Sequence, residues 1–186
     1  MSDSQNTEDR KQPAWHVMRV TYGRELKLSE KLSMMGIANY VPTRMKEVRR
    51  PSDGKLVRKR VSAISNLLFI YGFRSEIQDL KEQMEATIPM RYMMDKSTGY
   101  PMVVPDRDMA DFIRVTADDS KDVIWLDNPE AAYAGGQRVE IVYGPFSGIR
   151  GYVLRVNRDR KVVVTINGLA SVALIIEMKP QWLKRI

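Results

Sequence analysis

The stretch Leu67-Leu68-Phe69-Ile70-Tyr71 decides the fold of the first part of the chain. Consecutive apolar residues without alternation predict a central strand that is buried on both faces. Apolar stripes at helical spacing precede and follow it, formed by Leu28, Leu32 and Met35 and by Ile77, Leu80 and Met84. A buried strand between amphipathic helices predicts an α+β fold in which helices cover a sheet.

Further signals surround this strand. Trp15 to Val20 is strand-like, and the turn signature Pro51-Ser52-Asp53-Gly54 predicts a long hairpin made by residues 40–50 and 55–73. Ser75 is predicted to cap the following helix, with Gln78 closing the capping box. Tyr92 to Met94 predicts another strand. A last helix is predicted from Pro105 to Val115, with Met109, Phe112 and Ile113 facing inward. The order predicts an N-terminal α/β sandwich with an antiparallel sheet over residues 14–116.

The C-terminal block has a different pattern. Short apolar segments alternate with turns such as Gly144-Pro145-Phe146-Ser147-Gly148 and Asn167-Gly168. Five short strands in about 50 residues predict a small SH3-like β-barrel over residues 135–186.

Charge divides the chain in the same places. Residues 13–116 carry a net charge of +6, residues 117–134 a net charge of −4, and residues 135–186 a net charge of +6. We therefore expect a disordered tail at 1–13 and an acidic linker at 117–134. The apolar residues 123–126 inside that linker are able to pack on a domain.

Composition argues against enzymatic chemistry. The chain has no cysteine, and its one histidine, His16, lies in a strand-like apolar run that favours packing over catalysis. No Gly-Lys-Ser/Thr phosphate loop occurs. Asp106, Asp108 and Asp111 fit a helix start better than a metal cluster. We therefore predict no catalytic residues, no metal and no cofactor. No apolar run is long enough to cross a membrane, so we expect a cytoplasmic protein, and a monomer.

A basic hairpin is the strongest functional signal in the residues themselves. Eight bases occur within seventeen positions: Arg44, Lys46, Arg49, Arg50, Lys55, Arg58, Lys59 and Arg60. Cations at this density attract nucleic-acid phosphates and release counterions. The alternative is a solvated β-ribbon whose charges prevent edge aggregation. Arg24 and Lys27, in a first helical turn, can add a phosphate contact or be ordinary surface charges.

Two series of residues resemble the NusG family of transcription elongation factors. Trp15-His16-Val17-Met18-Arg19, Gly23-Arg24-Glu25 and Pro42-Thr43 resemble its NGN domain. Gly135-Gly136-Gln137-Arg138-Val139 and residues 144–151 resemble its KOW domain. Gly23 to Lys27 and Pro101 to Pro105 are most similar to the UpxY-like antiterminators of capsular polysaccharide operons.

The resemblance implies a non-enzymatic factor that binds the clamp region of RNA polymerase and promotes processive transcription and antitermination, here of a polysaccharide operon. Upstream or non-template DNA, and RNA, would lie near the basic hairpin, and the KOW domain would bind a second protein. The implied polymerase-binding residues are Arg19, Asn66, Leu67 and Phe69. The implied partner-binding residues of the KOW domain are Phe146, Ile166, Asn167 and Leu169.

Two alternatives stay open at this point. Leu67 and Phe69 can form an exposed docking patch on one face of the central strand, or both can belong to a two-sided core. The whole chain can instead be a KOW-type RNA-binding protein of translation or ribosome assembly, which would bind free RNA tightly and with strong salt dependence.

Overall fold

The computed structural model describes residues 12–117, 123–126, 136–156, 158–166, 169–174 and 179–186. Contacts divide the chain into two compact units, Met1–Asp106 and Arg107–Ile186. The architecture is mixed α+β with antiparallel sheets, as the sequence predicts.

Unit 1 contains seven strands and two helices among its described residues. The strands are β1 (Ala14–Val20), β2 (Asn39–Tyr40), β3 (Thr43–Arg49), β4 (Leu56–Ser62), β5 (Leu67–Gly72), β6 (Met90–Tyr92) and β7 (Val103–Val104). The helices are α1 (Glu25–Met34) and α2 (Arg74–Met84). One sheet has the order β2-β5-β1-β6, and β7 pairs with β1.

The core of unit 1 forms where the helical stripes meet one face of this sheet. Leu28 and Leu32 of α1 and Ile77 and Leu80 of α2 are buried in one cluster with residues of the strands. The predicted stripes are therefore confirmed, except at Met35, which follows the end of α1 and is 47% exposed. Packing of amphipathic faces, rather than intrinsic propensity, provides most of the stability of helices this short.

The long predicted hairpin is interrupted. β3 and β4 pair with each other as a separate two-stranded sheet, whereas β5 leaves them and pairs with β1 and β2. The break falls at residues 63–66, where Asn66 has a φ of 63°. A left-handed residue cannot continue a regular ladder, so the chain turns there into the main sheet.

The predicted cap of α2 is wrong by two residues. The helix is capped at Phe73, whose backbone N–H donates to the Glu76 carboxylate at 3.1 Å. Gln78 instead donates to Glu82 at 2.8 Å, one turn further along. Glu76 satisfies one of the N–H groups that a helix start leaves without an intrahelical partner.

Unit 2 contains most of one helix and six strands among its described residues. The helix is α3 (Asp106–Thr116), of which Asp106 falls in unit 1. The strands are β8 (Val123–Trp125), β9 (Gln137–Ile141), β10 (Arg150–Val156), β11 (Asp159–Ile166), β12 (Ala170–Leu174) and β13 (Leu183–Arg185). The five predicted strands of the C-terminal block are confirmed as β9 to β13.

These strands form one antiparallel sheet with the order β13-β9-β10-β11-β12-β8. Within the described residues the two end strands do not pair, so the predicted closed barrel is not confirmed. β8 comes from the segment that the sequence predicts to be a linker, and its apolar residues pair with β12. Most of the predicted linker and tail lies outside the described residues.

Helix α3 is the main departure from the predicted division of the chain. The sequence places it in the first domain, but contacts group residues from Arg107 onward with unit 2. Phe112 contacts Trp125 edge to face, with ring centroids 6.1 Å apart. Met109 and Phe112 are buried as predicted, whereas Ile113 is only half-buried.

Candidate nucleic-acid interface

The cationic ribbon, which we define as residues 43–62, consists of β3, β4 and their connecting turn. None of the fourteen residues in its two strands is fully buried. All eight predicted cations are exposed. The structure therefore brings every one of the predicted hairpin bases into one small solvated element.

The turn at the tip of the ribbon is held by local hydrogen bonds. Arg50 donates through its backbone N–H to the carbonyl of Lys55 at 2.8 Å, and Gly54 donates to the carbonyl of Arg50 at 2.9 Å. Gly54 has a φ of 68°, a conformation that favours glycine. The Arg50 guanidinium forms an ion pair with Asp53 at 3.2 Å, so this base is partly neutralised.

Strand register distributes the remaining cations over both faces of the ribbon. Directly opposite residues share a face, and successive residues alternate. Arg44, Lys46 and Lys59 therefore lie on one face with Val48, Val57 and Val61. Arg49, Arg58 and Arg60 lie on the other face with Met45, Glu47 and Leu56.

Lys46 and Lys59 lie directly opposite each other. Like charges at such a position destabilise a β-ribbon. On the other face, Glu47 lies opposite Arg58, which is the favourable combination. The lysine pair therefore makes this face positively charged at some cost in the stability of the ribbon.

Arg24, a predicted phosphate contact, lies immediately before α1 and has a structural role. Its guanidinium donates to the Thr87 carbonyl at 2.9 Å and to Thr21 at 3.5 Å, and it lies 5.5 Å from the centroid of the Tyr22 ring. These contacts hold the guanidinium against its own unit, and a phosphate contact by Arg24 stays a prediction. Lys27 is exposed on α1, as a phosphate contact or a surface charge requires.

The predicted polymerase-binding residues separate into different environments. Leu67 is 5% exposed and Phe69 is fully buried, so the expectation of an exposed patch on β5 is wrong. β5 is an interior strand with a neighbour on each side, and all four residues from Leu67 to Ile70 are buried. The alternative of a two-sided core is the one that the structure has.

Asn66 also serves the fold. Its side-chain oxygen accepts a hydrogen bond from the Gly23 backbone N–H at 2.8 Å, and its carbonyl accepts one from Val20 at 2.9 Å. It thus ties the entry of β5 to the turn that follows β1. Arg19 is the exposed member of the predicted set, and it lies opposite Arg91 of β6.

Arg91 was missed by the sequence analysis. It is exposed, and its pairing with Arg19 joins strands about 70 positions apart. No local sequence pattern predicts that these two strands pair, because the residues between them form four other strands and two helices. The two arginines form a second like-charged cross-strand pair, which again costs stability.

The predicted partner-binding residues of the C-terminal block lie in and near two turns. Phe146 is half-buried and Leu169 is half-buried, whereas Ile166 is only 1% exposed. The expectation that Ile166 faces a partner is therefore wrong, because its side chain belongs to the core of the sheet. Asn167 lies outside the described residues.

The turn that carries Phe146 is fixed by side chains of α3. The Arg114 guanidinium donates to the carbonyls of Pro145 and Ser147, each at 2.8 Å. The Arg150 backbone N–H donates to the Asp111 carboxylate at 3.2 Å. Burial raises the pKa of Asp111 above its ordinary value. Phe146 is thus presented by a turn with little freedom of its own.

Glu140 forms ion pairs with two arginines near the turn that carries Phe146. Its carboxylate accepts a hydrogen bond from the Arg150 guanidinium at 3.0 Å and lies 3.5 Å from Arg107. The hydrogen bond from Arg150 is the main reason that the pKa of Glu140 lies below its ordinary value.

Other features bear on chemistry only indirectly. His16 is buried, with its ring 6.0 Å from that of Tyr92, which confirms the predicted packing role. Across the described ranges, no group of three or more His, Cys, Asp or Glu residues is arranged to hold a metal ion. In those same ranges, no helix has the length and apolarity needed to span a membrane.

A scan against models of protein families and a search of curated proteins each found no match to this chain.

Proposed function

We propose that this protein is a non-enzymatic transcription elongation factor of the NusG type, which binds RNA polymerase and places its cationic ribbon against nucleic acid. The observation that carries the proposal is the ribbon itself. It is a solvated two-stranded element with eight exposed cations, and it maintains a lysine pair that costs stability.

The shape of the ribbon suits duplex DNA. A two-stranded β-ribbon fits the major groove, which is about 12 Å wide. Strands of seven residues extend roughly 23 Å at about 3.3 Å per residue. Cations on both faces then meet the phosphates on either side of the groove. Contacts of this kind set position and affinity without reading sequence.

The finer architecture belongs to the same proposal. Unit 1 would be an NGN-type α/β sandwich, and the strands of unit 2 would form a KOW-type SH3-like barrel that offers Phe146 and Leu169 to a second protein. Arg19 and Arg91, exposed side by side on β1 and β6, would contact the clamp region of RNA polymerase. Promotion of antitermination in a polysaccharide operon follows from the family resemblance.

The test is association with a reconstituted RNA polymerase elongation complex, followed by transcription past a terminator. We expect the protein to bind the complex and to raise the fraction of transcripts that pass the terminator. An Arg19→Glu, Arg91→Glu variant should lose binding, whereas a Lys96→Glu, Lys184→Glu variant, with the same change in charge at two exposed lysines, should retain it. Equal binding by both variants would refute the polymerase contact.

The same experiments distinguish the alternative function, an RNA-binding protein of translation or ribosome assembly. An RNA-binding protein of translation would bind free RNA more tightly than it binds the elongation complex. That result, together with unchanged read-through, would replace the proposal.

A further inference from the structure

An exposed tyrosine lies against a half-buried tryptophan on unit 2, just after the end of β9. Tyr143 is 67% exposed and its neighbour Val142 is 44% exposed. The rings of Tyr143 and Trp182 lie 5.6 Å apart, with an angle of 44° between their planes. Large apolar side chains placed together on a surface mark an interaction site more often than scattered ones do.

Backbone contacts hold this pair in place. The Val142 N–H donates to the Trp182 carbonyl at 2.8 Å, which joins the end of β9 to the segment before β13. Gly144 follows with a φ of 88°, and a Cβ there would lie 3.7 Å from the Trp182 ring. The positive φ favours glycine at this turn, whereas a Cβ would make only an ordinary van der Waals contact with the indole. The Tyr143 ring is supported from one side and open to solvent over most of its surface.

The charge around the pair is positive. Lys179 is exposed, and its Nζ atom lies 5.7 Å from the centroid of the Trp182 ring. The two acidic residues described after residue 135 are both paired with cations, Glu140 with Arg150 at 3.0 Å and Asp159 with Lys161 at 3.7 Å. An anionic ligand would thus find a cation near the aromatic rings and no unpaired acidic side chain among the described residues of this block.

We propose that Tyr143, supported by Trp182, is a stacking platform for one base of a single-stranded nucleic acid, and that Lys179 contacts an adjacent phosphate. An open aromatic face beside a cation is the combination with which proteins bind single strands without reading sequence. The site goes beyond the proposed function, because it requires neither RNA polymerase nor the cationic ribbon.

Tyr22 provides the natural comparison. It is 87% exposed, and Arg24 lies 5.5 Å from its ring. However, the guanidinium of Arg24 is held by Thr21 and Thr87, whereas Lys179 extends from an exposed position next to a short 3-10 turn at Pro180–Trp182. Two exposed tyrosines with nearby cations thus differ in whether the cation is available to a phosphate.

The test is binding of fluorescent octanucleotides by the full chain, measured by anisotropy. The probes are octauridylate, octathymidylate and an octamer of abasic sugar-phosphate units. We expect Tyr143→Ala to weaken binding of the base-containing probes by about tenfold or more, which corresponds to the loss of one stacked base. Binding of the abasic octamer should not change. Tyr143→Phe, which keeps the ring, should bind as the wild type does.

Three controls make the outcome decisive. Tyr22→Ala should leave binding unchanged. Lys179→Gln should reduce the slope of log affinity against log salt concentration by roughly 0.7, which is the value for one phosphate contact on a single strand. Thermal unfolding of each variant confirms that it is folded. Preference for octauridylate or octathymidylate, or equal binding of both, supports the platform and identifies the strand that it takes. Unchanged binding by Tyr143→Ala, or an equal loss for the abasic probe, overturns it.

The result is separable from that of the proposed function. A protein that fails to bind the elongation complex but loses octanucleotide binding on Tyr143→Ala would retain this site. A protein that binds the complex and shows no stacking would retain only the proposed function.

Discussion

Replacing Lys59 by glutamate should stabilise the ribbon and weaken its binding to nucleic acid at the same time. In the structure Lys59 lies directly opposite Lys46, on a face whose other cation is Arg44. Lys59→Glu converts a repulsive cross-strand pair into an attractive one. Opposite charges at such positions contribute about 0.2–1 kcal/mol, and like charges cost a similar amount. Because both side chains are exposed, we expect a net gain of about 1 kcal/mol at low salt.

Arg58→Glu is the matched control. It makes the same change in charge one residue away, but it places glutamate opposite Glu47 on the other face. This variant should therefore destabilise the ribbon. Hydrogen exchange of ribbon amides measures both effects, and 1 kcal/mol corresponds to about a fivefold change in protection.

Binding to duplex DNA should respond differently. Each variant removes one cation and adds one anion, so both should lower the slope of log affinity against log salt by about 0.9 for every phosphate that the ribbon no longer neutralises. Thus Lys59→Glu separates stability from binding, whereas Arg58→Glu reduces both. A stabilised Lys59→Glu variant with undiminished DNA affinity would refute the role of the ribbon. A destabilised one would refute the register on which the reasoning depends.

Three further changes test the assignments around the ribbon. Phe69→Ala should cost about 3–5 kcal/mol in urea unfolding because the ring is fully buried; a cost below about 1 kcal/mol would restore an exposed role. Asn66→Gly should cost about 1 kcal/mol through loss of its hydrogen bond to Gly23, and Asn66→Ala about 1 kcal/mol more, because alanine disfavours the left-handed backbone. Since Arg150 lowers the folded pKa of Glu140, its contribution to stability is present above the ordinary glutamate pKa and is lost as pH falls through the folded value. The unfolding temperature of the Glu140→Gln variant should therefore decrease less on acidification than that of the wild type. An equal decrease in both proteins would contradict this assignment.

The sequence predicted those parts of the fold that depend on a short repeat. The run from Leu67 to Ile70 has no polar alternation, and all four residues are buried. The stripes of α1 and α2 were predictable for the same reason, since residues three or four apart share a helix face. In these elements the burial of each residue can be predicted from residues that are close to it in the sequence.

Other features depend on partners that are distant in sequence. The apolar run of β5 is equally compatible with one solvated face and with none, and only the burial of all four residues from Leu67 to Ile70 shows that both faces are covered. The left-handed Asn66 interrupts a hairpin that the turn signals made continuous. The apolar stripe of α3 predicts that one face of the helix is buried. It does not predict the partner of that face, which the contact between Phe112 and Trp125 identifies in part.

The ribbon shows most clearly what amino-acid composition predicts and what only the strand register reveals. Its eight cations are visible in the sequence, but a count of charges fits a solvated strand as well as a binding element. Only the register places Lys46 opposite Lys59 and Glu47 opposite Arg58, and a slip of one residue would separate both pairs. A protective charge against aggregation requires only that cations be present on the ribbon. It does not require that two of them face each other where an acid would stabilise the strands, and this is why the lysine pair favours a ligand for that face.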